Sequence, residues 1–236
     1  MKVAIMQPYI FPYIGYLQLI NLVDTFIFYD DVNFIKQGWV NRNNILVNGQ
    51  SFRFTIPLEK SSSFVKICDV QINNEMWAKW KDKFLKTLEQ NYKKAPFFNS
   101  GFEIVDNVLS SYYKEMSISE LAISSITELC KYMNINTKII STSSKYENNH
   151  LSGKDRVIDI CIRENANHYI NPIGGKELYD QTSFKSFNLD LNFIQPLSHV
   201  YNQPTKHFIP WLSSIDIIMY NSKDSIKEHL TKFKLI

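Results

Sequence analysis

The 236-residue sequence predicts an α/β fold: a mostly parallel sheet interrupted by a helical insertion and closed by C-terminal helices. Three observations carry this expectation. "KVAIM" and "TFIFY" near the start are short unbroken apolar runs, the pattern of strands buried on both faces, with the helical stretch "YLQLINLVD" between them. From about residue 75 to 133 the apolar spacing is helical. Strand and helix patterns then alternate towards the C-terminus.

Taken in order, the first strand, helix and strand form a right-handed crossover unit with parallel strands. "ILVNGQSFRFTIPL" (45–58) sets Asn48-Gly49 between alternating apolar runs, a hairpin signal, and "FVKICDVQI" is expected to add a strand. In "EMWAKWKDKFLKTLEQNYKKA" the residues Trp77, Trp80, Phe84 and Leu88 share one helix face and read as core, and Pro96 stops the helix. "GFEIVDNVLSSYYKEM" is a second helix, and "SISELAISSITELCKYM" a third, opened by a Ser117–Glu120 capping box. "TKIIS" (137–141) is a strand, and "SGKDRVIDICIREN" a helix with Ser152 and Asp155 as a cap pair. "HYINP" is a strand leading into "IGGKELY", and "LNFIQP" (191–196) is another. "FIPWLSSIDIIMY" and "SIKEHLTKF" are the C-terminal helices. This length suits one α/β domain over 1–236, with a helical subdomain at about 75–133.

Composition narrows the function classes. With 44% hydrophobic and 21% charged residues the chain can build a sizeable core, which excludes a disordered protein. A net charge of +3 without any lysine-arginine block argues against nucleic acid and suits a small anionic substrate. Cys68, Cys130 and Cys161 have neither zinc nor redox spacing, no His/Cys/acid cluster has metal spacing, and Cys130 and Cys161 fall on apolar helix faces. A reducing, cytoplasmic location follows as an expectation. Gln7, Pro8 and Pro12 break any signal-peptide core, and no run reaches membrane-spanning length.

Ligands of open parallel sheets bind beyond the carboxyl ends of the strands, and four polar loops are expected to meet there around one pocket. "QPYIFPYIGY" offers Gln7, Tyr9, Tyr13 and Gly15: prolines stiffen the loop, tyrosines give flat surfaces with polar tips, and glycine allows close approach at a helix start. The alternative is an aromatic plug that caps the sheet. "DDVNFIKQGWVNRN" places Asp30 and Asp31 at a strand end, where neighbours face opposite ways. One then points into the cleft as a base or Mg²⁺ ligand while the other caps or pairs; a turn cap explains either equally well. Lys36, Arg42 and Asn43 follow, with Arg42 a clamp for carboxylate or phosphate.

"NPIGGK" brings Gly174, Gly175 and Lys176, a weak phosphate cradle without P-loop spacing. Lys154 and Arg156 stand at a helix start, an unfavourable place for cations unless an anion binds there. "QPLSHVYNQ" supplies Tyr201 and also His199, an acid-base candidate or a structural histidine.

With those residues in view, the chain resembles the WbqC-like family, encoded in bacterial O-antigen and surface-polysaccharide clusters. The resemblance rests on "MQPYIFPYIGYLQLI", "DTFIFYDDVNFIKQGWVNRN", "SGKDRVIDIC", "YINPIGGKELY" and "HVYNQPTKHFIPWLSSIDIIMYN". It implies a role in making or decorating a sugar precursor. The expected reaction is N-acylation, for example glycyl transfer, of an amino-deoxy sugar carried as its nucleotide diphosphate. Asp30, Asp31 and His199 would be the catalytic groups, and the partners a nucleotide sugar and an acyl donor. A non-catalytic sugar-nucleotide-binding or scaffolding protein and a glycosyltransferase are the alternatives.

The opening unit is also laid out like nucleotidylyltransferase-type, Rossmann-like folds such as pantothenate synthetase. Tyr13 and Tyr16 stand where those enzymes carry the histidines of H-x-G-H, and only Gly15 matches, a departure from adenylyl transfer. No covalent cofactor is implied; ATP with Mg²⁺ and a homodimer stay open.

Overall fold

The structure, a computed structural model, describes residues 1–60, 62, 64–198 and 200–236. In chain order the elements are β1 (Lys2–Met6), α1 (Ile14–Leu22), β2 (Thr25–Phe28), β3 (Arg42–Val47), β4 (Gln50–Thr55), α2 (Asn74–Tyr92), α3 (Phe98–Ser110) and α4 (Ile118–Met133). There follow β5 (Lys138–Ile140), α5 (Gly153–Arg163), β6 (His168–Pro172), α6 (Gln181–Lys185), β7 (Asp190–Pro196), α7 (Ser214–Tyr220), α8 (Lys223–Leu230) and β8 (Phe233–Leu235).

The main sheet has the order β5-β2-β1-β6-β7-β8, parallel except for β8, and β3–β4 form a separate antiparallel hairpin. With the hairpin set aside, this is a Rossmann-like winding: the order reverses beside β1, and helices cover both faces. Side-chain alternation supplies the two faces. Val3, Ile5, Ile27, Tyr169 and Phe193 pack with Val157 and Cys161 of α5 and Phe184 of α6. Ala4, Phe26, Phe28, Ile170 and Ile194 pack on the other side with α1, α4, α7 and α8. Trp77, Phe84 and Leu88 of α2 join that second cluster, so the helices of 75–133 share its core.

At the reversal the sheet is thin. β1 pairs with β6 only through Lys2–His168 and Val3–Tyr169, whereas its pairing with β2 continues to Met6–Phe28. The chain leaving β1 then turns through Phe11 at φ 41°, left-handed and fully buried. A non-glycine residue there is strained by about 1–3 kcal/mol and persists only where its surroundings hold it. The Phe11 N–H donates to Ser125 Oγ of α4 at 3.0 Å. Its carbonyl accepts from Asn43 Nδ2 of β3 at 2.6 Å and from Ser213 Oγ, the N-cap of α7, at 2.8 Å. The Ser214 N–H donates to the Pro12 carbonyl at 2.8 Å, and the Ile10 N–H to that of Val40 at 3.1 Å.

Several local expectations match. Asn48 and Gly49, at φ 51° and 74°, make the tight turn of β3–β4, because a primed turn needs two positive φ values. Ser117 and Glu120 form the capping box.

Others are corrected. "FVKICDVQI" yields a 3-10 turn at Ile67–Asp69 and isolated bridges, since Ile67 and Cys68 donate to loop carbonyls of Val32 and Asp30. The Ser152 side chain makes no cap bond; Gly153, at φ 53°, turns the chain into α5 instead. "FIPWLSSIDIIMY" is helical only from Ser214. "IGGKELY" is a 3-10 turn at Ile173–Gly175, with α6 starting later behind an Asp180 cap. β8, too short to read from pattern, closes the edge.

Removing one donor to the buried Phe11 carbonyl, by Asn43→Ala or Ser213→Ala, is expected to lower stability by about 1–3 kcal/mol in urea unfolding. A change below about 0.5 kcal/mol, the scale of a neutral surface substitution, would show the turn is not held this way.

Candidate functional site

Residues 197–213, between β7 and α7, contain no helix or strand among the described positions. Connections beyond about 12–15 residues are uncommon in compact domains and often line sites. A buried carboxylate anchors this one. Asp216, in the first turn of α7, accepts from Tyr201 OH at 2.6 Å, Gln203 Nε2 at 2.9 Å and Tyr92 OH at 2.9 Å. Gln203 in turn accepts from the Ile209 N–H at 2.8 Å and donates to its carbonyl at 3.2 Å, keeping that residue out of any helix. Burial pushes the Asp216 carboxyl above its ordinary range, and the three donors oppose it. Burial, with Asp216 beside it, drives the Tyr201 phenol well up.

The loop closes over the start of α1 and the end of β7 to enclose a cavity of about 330 Å³ walled by Tyr13, Ile14, Pro196, Tyr201, Phe208 and Trp211 among others. Tyr13 and Trp211 meet edge to face at 5.7 Å. Trp211 sits at φ 61° and is 60% exposed, a strained aromatic at the mouth. The Tyr13 hydroxyl has no hydrogen-bond partner among the described residues, so it is free to meet a ligand, whereas that of Tyr201 is committed to Asp216. From Tyr13 the rings continue outwards: Tyr9 at 6.4 Å, then Trp39 at 6.0 Å from Tyr9. Burial, then the neighbouring Tyr13, raises the Tyr9 phenol.

Gly15 is explained by packing rather than by ligand approach. A Cβ there would lie 2.3 Å from Tyr13 Cε2 and 2.7 Å from Pro196 Cγ. Gln7 contributes its carbonyl to Tyr16 OH at 2.8 Å.

Asp30 and Asp31 turn to opposite faces of the sheet. Asp30 accepts from Thr142 Oγ1 at 2.8 Å, the Ser143 N–H at 3.1 Å and Ser119 Oγ at 3.3 Å, and lines an open groove with Cys68, Glu120 and Ser141. Burial raises its carboxyl against those hydrogen bonds. Asp31 accepts from Ser143 Oγ and pairs with Arg156 Nη2 at 2.6 Å, both side chains buried. Arg156 Nε donates to Asn148 at 2.8 Å, and its guanidinium lies 4.9 Å over the Tyr29 ring.

The expectation of one pocket is therefore corrected. β2 and β7 stand three strands apart, roughly 14 Å at the usual strand spacing, so the Asp30 groove and the aromatic cavity are separate clefts on one edge.

The remaining candidates divide. The anion that Arg156 meets is internal, and Lys154 reaches Asp180 at 3.2 Å and Ser183 Oγ at 2.7 Å, so neither cation awaits a ligand. Asn43 is fully buried on the Phe11 turn. Gly175 leaves room for Asn171, whose Nδ2 would lie 2.2 Å from a Cβ; Gly174 is open and Lys176 exposed, but no helix start follows them to complete a phosphate cradle. Arg42 donates Nη2 to the Lys36 carbonyl, and Lys36 itself is exposed. His199 lies outside the described residues. Trp211, Phe208 and the Gln203–Asp216 anchor carry no motif that marks them in the sequence; Pro204 and Pro210, as helix breakers, are the signal it offers.

A family model described as the WbqC-like protein family matches residues 7–228. The chain is similar to a curated relative, "Uncharacterized protein Rv1507c" of Mycobacterium tuberculosis (strain ATCC 25618 / H37Rv), 30% identical over 224 residues that cover 92% of each. No solved structure matches.

Two stability experiments follow from this geometry. Arg156→Met, which leaves Asp31 buried and unpaired, is expected to cost about 3–5 kcal/mol in urea unfolding, and adding Asp31→Leu should recover much of it. For Asp216, the raised carboxyl means the folded state holds its proton longer than the unfolded state. Wild-type stability relative to Asp216→Asn should then fall as pH rises from about 3.9 and level off above the raised value. A difference that is flat or rises with pH would contradict this.

Proposed function

The chain belongs to the WbqC-like protein family, and on that premise we propose that it is a cytoplasmic transferase that N-acylates an amino-deoxy sugar carried as its nucleotide diphosphate. The observation that supports this reading is the ring-walled cavity at the carboxyl edge of the sheet. Its volume of about 330 Å³ is near the lower end of the roughly 300–1,000 Å³ of small-molecule sites, enough for one sugar ring and not for a whole sugar nucleotide. Aromatic faces suit the C–H face of a pyranose, and the free Tyr13 hydroxyl suits one of its hydroxyls.

In the reaction the sugar amine attacks the acyl carbonyl carbon and a C–N bond forms. The bond to the donor's leaving group breaks, and that group departs with the electron pair. The amine proton passes to His199, next in the chain to the lining residue Ser198. A glycyl or other aminoacyl group is one donor of this class. Asp31 is left to its ion pair, and Asp30 to the separate groove.

Incubating the folded protein with nucleotide-linked amino sugars and acyl donors should give one product heavier by a single acyl group in mass spectrometry. His199→Ala should lower kcat by about 10²–10⁴, and Tyr13→Phe should act mainly on KM. If no pair is converted and none binds, the reading fails. A non-catalytic sugar-nucleotide binder is the second reading, favoured by the lack of any carboxylate, imidazole or amine side chain among the described cavity residues. It would bind the same sugars with no turnover in wild type. A glycosyltransferase with a metal held between Asp30 and Asp31 is disfavoured, because the two carboxylates face opposite ways.

A further inference from the structure

The outer face of the β3–β4 hairpin carries two arginines, neither set against a carboxylate among the described residues. In the ladder Arg42 lies opposite Thr55 and Arg53 opposite Asn44, so the two arginines are diagonal neighbours on one face. Diagonal partners stand roughly 7–8 Å apart at Cα, within reach of long side chains. Asn43, Ile45 and Phe54 take the buried face, which turns the arginines outwards.

Neither arginine has a carboxylate partner among the described residues. Arg42 Nη2 is held by the Lys36 carbonyl, and its Nε is buried without a hydrogen-bond partner among the described residues. Closed off from solvent, Nε cannot meet an outside ligand; Nη1, which has no hydrogen-bond partner among the described residues and is not fully buried, is the donor left for an external acceptor. Arg53 is oriented by Trp39, its guanidinium 5.4 Å from the ring centroid. Trp39 is also the outer end of the ring row that passes through Tyr9 to Tyr13 at the cavity wall.

We propose that Arg42 and Arg53 form a diphosphate-binding site, joined to the cavity by that row of rings. Guanidinium pairs match the geometry and charge of phosphate oxygens, and two of them suit two linked phosphoryl groups. The site deepens the function proposed above, resting on it for the sugar that the diphosphate would carry. A nucleoside and a prenyl carrier present the same diphosphate.

The test is calorimetric titration of the full chain, without acyl donor, using UDP, GDP, geranyl diphosphate and, as a phosphate-free control, uridine. Arg53→Met and Arg42→Met should each weaken every diphosphate that binds by about tenfold or more, the loss expected for a charge-assisted hydrogen bond, and leave uridine unchanged. Nucleoside diphosphates binding more tightly than geranyl diphosphate assign the carrier to a nucleotide. The reverse order, with the same dependence on both arginines, supports the site and assigns a prenyl carrier. Arg53 is exposed, so Arg53→Met keeps the test open if Arg42→Met unfolds. Diphosphate affinity unchanged within about twofold in Arg53→Met would overturn the site while leaving acyl transfer untouched. No diphosphate binding at millimolar concentration would overturn it too. Failure of acyl transfer alone would not bear on this binding result.

Discussion

One peptide organises the carboxyl edge of this protein. Phe11 adopts a conformation it would not hold alone, and the groups that hold it lie 114, 32 and 202 residues away in the chain. α4, the hairpin and α7 are thereby referenced to the same point. The aromatic cavity, the hairpin face and the base of the long loop inherit their mutual positions from this clamp. The tyrosines beside it are stiff because the turn is over-determined, not merely because prolines flank it.

Much of the architecture was legible because its signals are local. Unbroken apolar runs marked β1 and β2, Asn48-Gly49 marked the hairpin, and Ser117 with Glu120 marked the start of α4. What escaped depends on distant partners. Ile209 reads as helical until Gln203 takes both of its backbone groups. Arg156 reads as a cation awaiting an anion until Asp31, 125 residues earlier, supplies one. In the candidate site, loop composition was enough to place Tyr13 and Tyr201 beyond strand ends, and both line the cavity. It could not reveal that Asp30 opens into a different groove, since that depends on strand order.

The two clefts differ in character. The cavity has flat, neutral walls with the Tyr13 hydroxyl among them. The Asp30 groove is lined by hydroxyls, a thiol and carboxylates, and is open to water. A buried pair such as Asp31–Arg156 adds little stability relative to an apolar pair of the same shape. It does tie the end of β2 to α5, on the face of the sheet away from the cavity.

The wall over the cavity is fastened by side chains rather than by a strand ladder. Gln203 stands in for a neighbouring backbone, and Asp216 grips it from below. An arrangement of this kind behaves like a detachable faceplate. The stretch from Pro204 to Trp211 can therefore change in sequence while the two fastening points and the sheet beneath stay as they are.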